Sequence, residues 1–210
     1  MLSFDDVKKY LPQYLSAVGQ QELFSELKEF PHNIDQRIYT SSLACENSIF
    51  QGDGISNLLY INFPSTEVRP VTGMVLSNTC DIEQSNQRFT SMRMVYAPIV
   101  NLEKYKNVLI KEHVETNKKT IQSIESHISD LQKQYISHIF YLPKSGGLAN
   151  DSIVFLDRIN NCPSDSVDSN SITNQKLFTL SDYGFYLFLF KISVHFTRIR
   201  DGVVRTPLYA

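Results

Sequence analysis

The chain has 210 residues, 42% of them hydrophobic, with thirteen Phe and eleven Tyr. That composition excludes a largely disordered chain, and the length suits one domain with appendages or two small ones. A net charge of -2 excludes a broadly basic nucleic-acid-binding surface but leaves room for a local basic groove.

The N-terminus, Met1 to Asp6, has neither a basic region nor an apolar run, so no secretory signal is expected there. Residues 3–18 read as a helix: Ser3 caps, Asp6 follows three positions on, and Phe4, Val7, Leu11, Leu15 and Val18 share a stripe. Pro12 predicts a kink or a break. Gln20 to Phe30 continues the helical spacing through Leu23, Phe24 and Leu27, and Pro31-His32-Asn33 stops it. Ile34 to Asn47 reads as either a connector or an edge strand.

Strand character follows. Gln51-Gly52-Asp53-Gly54 leads into the apolar run Leu58 to Pro64, then Arg69 to Asn78, then Met92 to Val100, each bounded by Gly, Pro, Ser or Asn. Short consecutive strands with few helical signals between them predict a small coiled sheet or barrel. Lys106 to Ile139 is polar, with Ile121, Ile124, Ile128, Leu131, Tyr135 and Ile139 at intervals of three or four. It reads as an amphipathic helix or helical hairpin inserted between strands.

Ile139 to Leu142 and Asp151 to Ile159 return to strand, separated by the turn Pro143 to Gly147. Asn160 to Gln175, dense in Asn, Ser and Asp, reads as a loop. Thr179-Leu180-Ser181-Asp182 is a helix start, and Tyr183 to Phe196 reads as a helix apolar on nearly all sides. Lys191 interrupts that stretch, which is too short to span a bilayer, so no membrane association is expected. Cys45, Cys80 and Cys162 are odd in number and widely separated, which fits reduced thiols in a cytoplasmic protein. Neither a disulfide framework nor a metal-ligand pattern is present.

The bend Ser77-Asn78-Thr79-Cys80-Asp81 gathers hydroxyls, a thiol and a carboxylate just after a strand. In one reading Cys80 is a nucleophile or Asp81 a base. In the other these side chains bond local backbone in a turn while Cys80 packs inward. Asp157-Arg158 reads as an ion pair at a strand end, and His195 as a core or interface histidine. Lys104, Lys106 and Lys111, with Arg198, Arg200 and Arg205, are the basic groups that would hold phosphates if they converged. Gly146-Gly147 lacks the flanking residues of a phosphate loop, and no cofactor is expected.

Taken together, Gly52-Asp53 with Tyr60 to Pro64, Arg69-Pro70-Val71 with Val75 to Asn78, Val95 to Ile99, Gly147 to Ile159 and Leu177 to Phe196 resemble the MazF/PemK toxin family over roughly half the chain. The resemblance implies an SH3-like β-barrel with a C-terminal helix over 48–210; the N-terminal helical extension over 1–47 and a helical insertion at 104–138 lie outside its pattern, and the whole is expected to be α+β. It implies a homodimer in a bacterial toxin-antitoxin or phage-defence system, with single-stranded RNA and an antitoxin or defence protein as partners. Arg69 stands where the family has its catalytic arginine. Val100 stands at the place of the family's threonine and carries no hydroxyl. Two expectations follow. The chain binds RNA or a protein without cutting, or it is an endoribonuclease in which Arg69 acts with Thr79, Cys80 or Asp81. Ser77, Asn78, Lys104 and Arg158 are the expected RNA contacts.

Overall fold

Alternating apolar runs between Gly, Pro and Asn punctuation become an eight-stranded, mostly antiparallel sheet with helices packed against it, an α+β architecture. The structure, a computed structural model, describes residues 17–83, 85–86, 89–116, 118–167 and 172–197. The expected helical stripe from Phe4 to Leu15, with Pro12, lies outside them, as do Arg198, Arg200 and Arg205.

Helix α1 (Ala17–Lys28) buries Leu23. The ambiguous segment after it contains a 3₁₀ turn (Gln36–Ile38) and a short edge strand, β1 (Tyr39–Thr40). Strands β2 (Gly54–Ile61) and β3 (Val68–Val75) form a hairpin. Period-two alternation puts Leu58 and Tyr60 inward while Leu59 stays exposed. The register slips between Ile55 and Leu58, where Asn57 adopts φ 62°, so β2 carries a bulge. Strand β4 (Arg93–Asn101) pairs with β3 through Tyr96 to Pro98. Along its other edge it pairs with β7 (Asn160–Pro163) and then β6 (Ser152–Phe155), and β6 pairs with β5 (Ile139–Leu142). Strand β8 (Lys176–Leu180) lies between β1 and β2.

The sheet runs β1-β8-β2-β3-β4-β6-β5, with β7 branching from β4, and it is open. The closed barrel expected from the sequence is therefore corrected at the level of backbone pairing. The cause is the bulge: among the described residues β8 pairs with β2 at Gly54 and Ile55 alone, before Asn57. Side chains span the gap instead. The Asn160 amide accepts from the Ile61 N–H at 3.1 Å and donates to the Ile61 carbonyl at 3.3 Å. The Tyr96 hydroxyl donates to the Leu59 carbonyl. Pro70, opposite Leu59, contributes no N–H to the ladder and sits where none is needed.

Strands β7 and β8 both fall where no strand was expected. Asn-Asn-Cys-Pro has poor strand propensity, yet β4 offers it an unpaired edge, and ladder bonds come from backbone rather than side chains. The resemblance places Leu177 to Leu180 in the closing helix, but a short, mostly apolar run fits strand or helix equally, and here it is strand. A short helix, α5 (Ile172–Gln175), precedes β8 inside the segment expected as loop.

The main core gathers Leu23 and Ile38 of the N-terminal segment with Met74, Phe140, Phe178 and Phe188. The insertion forms α3 (Leu102–Leu109), a π-helical turn (Ile110–Val114) and α4 (Ile121–Gln132). Leu102 and Leu131 pack with Ile139, Ile153 and Phe155 in a second cluster. The last helix, α6 (Asp182–Thr197), starts on Ser181, whose hydroxyl accepts from the Gly184 N–H at 3.2 Å. It buries Tyr183, Leu187 and Phe188 and exposes Phe190, Val194 and Phe196. Among the described residues no helix is long and apolar enough to cross a membrane.

Candidate functional site

The end of β3 sets the position of the polar bend. Asn78 caps helix α2 (Thr79–Ile82), its Oδ1 accepting from the Cys80 N–H at 2.9 Å. The Thr79 hydroxyl accepts from the Gln51 N–H at 3.0 Å, and Ser77 Oγ accepts from the Val95 N–H at 2.8 Å. Asn78 thus bonds local backbone as an Asx turn does, whereas Thr79 and Ser77 accept from backbone distant along the chain. Cys80 and Asp81 are exposed, and no disulfide joins the three cysteines. Expectation had one reading with Cys80 packed inward; its side chain is outside the core.

Arg69 stands opposite Tyr60 near the start of β3. Its Nη2 lies 3.0 Å from Glu67 Oε2, and both side chains are largely exposed. Arg69 lies near the start of β3 and the bend follows its end, eight positions along the chain and about 26 Å of extended contour away. Val100 is opposite Ile153 of β6, because β4 has left β3 after Pro98. Lys104 is exposed in the first turn of α3, and the Arg158 guanidinium lies 3.8 Å from the Phe155 ring centroid. Both belong to the side of the molecule that carries the insertion.

What the bend does meet is Arg93, a residue that sequence reading passed over. Ser77 Oγ also reaches the Arg93 carbonyl at 3.5 Å, and the Arg93 guanidinium donates to Asn161 Oδ1. Arg93 lies on the wall of an open groove of about 670 Å³, with Asn86, Phe89 and Met92 on one side and Pro163 and Asp165 on the other. Asn86 Nδ2 donates to the Cys80 carbonyl at 2.9 Å, which joins this groove to helix α2. Phe89 is fully exposed. Half-buried Cys162 sits near Arg93 and Asp165, and burial, against the pull of Arg93, pushes its thiol up. The sequence signal for Arg93 was available: a lone cation at the head of a strand, out of phase with inward Met94 and Tyr96. Its pairing with β7 was not.

Gly52-Asp53, the opening of the resemblance, is structural. Gly52 has φ 92°, its N–H donates to the Val75 carbonyl at 2.8 Å, and a Cβ there would lie 2.7 Å from Leu180. Asp53 pairs with Lys176 in the interior. Neither residue opens onto the groove.

The chain matches no family model and no curated protein.

Proposed function

We propose that this chain is a divergent relative of the MazF/PemK toxins, SH3-like in strand order, that binds single-stranded RNA without cutting it in a toxin-antitoxin or phage-defence setting. The observation that carries the reading is Phe89, fully exposed, beside Arg93 in an open groove that Asn86 joins to helix α2. An exposed aromatic ring stacks on any unpaired base, and a nearby guanidinium adds charge and a planar donor set. Asp165 on the same groove limits phosphate attraction, so stacking supplies more of the affinity than charge.

The absence of cleavage rests on placement. A transition state of RNA cleavage needs a cation and a proton-transfer group around one phosphate. Arg69 is held by Glu67 and stands a strand's length from Thr79, Cys80 and Asp81. The exposed Phe190, Val194 and Phe196 of α6 are the surface on which a homodimer or an antitoxin would close.

Fluorescence anisotropy with end-labelled single-stranded RNA, and gels of the same mixtures, test this. Saturable binding is expected, weakened roughly tenfold or more by Phe89→Ala and by Arg93→Ala, the worth of a stacked base. The RNA should remain intact. Cleavage abolished by Arg69→Ala would replace this reading with an endoribonuclease, and no binding by the wild type would end it.

A further inference from the structure

The helical insertion encloses a small cavity of about 130 Å³ between α3, the π-helical turn and α4, remote from the groove in sequence and in the sheet. Tyr105 and Leu109 contribute from α3, His113 from the π-turn, Lys119 from the connector, and Ser123 and His127 from α4. The polar groups of this lining are a phenol, a hydroxyl, an ammonium and two imidazoles, with no carboxylate among them.

The backbone builds this arrangement on purpose. A π-turn is rare in proteins and tends to mark functional positions. Here it continues α3 so that Tyr105, Leu109 and His113 follow one another along one side. The His113 carbonyl then accepts from both the Lys118 N–H at 2.8 Å and the Lys119 N–H at 3.0 Å. That closure folds the connector back and brings Lys119 to the cavity. The Tyr105 hydroxyl and His127 Nε2 lie 3.0 Å apart, which fixes the imidazole and leaves Nδ1 as its remaining polar atom. Ser123 belongs to the first turn of α4, a helix of 12 residues whose dipole adds positive potential there.

We infer that this cavity binds a small oxyanion of the phosphate class, held by Lys119, His113, His127 and Tyr105. The volume admits several water-sized atoms but no nucleoside base together with a sugar, so the bound moiety is the anion itself. The source is either free phosphate or a phosphate monoester whose remainder projects into solvent. His127 already feels the site's charge: burial, then Lys119 and His138, hold its imidazole below the usual range, while Asp130 opposes them. An anion would reverse that direction.

The test is a titration of the intact protein with sodium phosphate at constant ionic strength, read on the histidine ring protons by NMR, with chloride as control. His113 and His127 should shift saturably and the His127 pKa should rise, while His195 on α6 stays fixed. Lys119 is exposed, so Lys119→Gln keeps the fold and should weaken binding about tenfold, the worth of one charge-assisted hydrogen bond. His127→Gln should reduce the pH dependence of binding, leaving the part that comes from the anion's own second ionisation and from His113. Adenosine monophosphate in a parallel titration distinguishes the sources: tighter binding than phosphate assigns the site to monoesters, and equal or weaker binding assigns it to the free ion. No saturable shift with either probe, or shifts equal in chloride or unchanged by Lys119→Gln, would overturn the inference.

Discussion

Lys176 Nζ lies 3.3 Å from Asp53 Oδ2, and the two side chains are 2% and 0% exposed. The pair is knotted into the chain around it. Asp53 Oδ2 also accepts from the Phe50 N–H at 2.9 Å, and Lys176 donates to the carbonyls of Ser48, at 2.9 Å, and Glu46, at 3.3 Å. The ammonium lies 5.0 Å from the Phe50 ring centroid. One interaction therefore ties the 46–53 loop to the starts of β2 and β8, the two strands that separate at the bulge.

Removing one member leaves a buried, uncompensated charge. Lys176→Met should cost about 3–5 kcal/mol, measured by urea unfolding, because the carboxylate loses its counter-ion in a dry site. The double change Asp53→Leu/Lys176→Met should recover most of that loss. Equal destabilisation by the double change would show that the loop, not the charge, is what matters.

The same carboxylate makes stability depend on acid. Burial raises the Asp53 pKa above its ordinary 3.8, against the opposing Phe50 N–H and Lys176. The native state therefore holds this proton more tightly than the unfolded chain. Its contribution is complete below the ordinary value and is lost as pH rises through the folded one. Difference curves of unfolding free energy against pH, wild type minus Asp53→Asn, should slope downward with rising pH in that window. A flat difference would refute the assignment.

Lys191 behaves in the opposite sense. It is buried in α6 with its Nζ donating to the Gln134 carbonyl, and burial brings its pKa down from 10.5 to about 8. The unfolded chain then binds the proton more tightly, so stability rises with pH between those values and is level below them, where both states carry the charge. The charged form costs on the order of 3 kcal/mol. Between about pH 7.5 and 9.5 the difference in denaturation midpoint, wild type minus Lys191→Met, should climb, a comparison that cancels the opposite slope from Cys162, whose thiol pKa is raised by burial.

Asn160 stands in for a missing strand at Ile61. Asn160→Ala should destabilise by about 1–3 kcal/mol, the cost of leaving such groups unpaired. Hydrogen exchange should locate the effect: the Ile61 amide loses protection while the amides of β5 and β6 keep theirs. Uniform loss across the sheet would mean that the seam is not a local closure.

Gly184 touches backbone rather than a side chain. A Cβ there would lie 2.1 Å from the Ile38 carbonyl oxygen, so α6 would have to move off the 3₁₀ turn beneath it. Gly184→Ala should cost about 1–3 kcal/mol despite alanine's better helix propensity. A stabilised variant would show that the helix has room to shift.

The amino-acid sequence by itself determined the elements whose signals are local. Leu58 to Ile61, Met94 to Ile99 and Ile139 to Leu142 have strand periodicity and composition, Ser181 announces α6, and the spacing of Ile124, Ile128 and Leu131 makes α4 amphipathic. Each of these needs only a few neighbouring residues to bury a face. The same locality made Asn78 legible as a turn-former, whereas Ser77 and Thr79 bond Val95 and Gln51 on distant segments. What only the tertiary structure decided involves groups far apart along the chain. Strand β7 exists because β4 has a vacant edge, and the sheet stays open because a bulge at Asn57 parts β2 from β8. Asp53 meets Lys176 across more than a hundred residues, and Arg93, not Arg69, meets the polar bend. Pairing energy in those cases comes from backbone hydrogen bonds, charge and burial between distant segments, and no pattern within either segment encodes its partner.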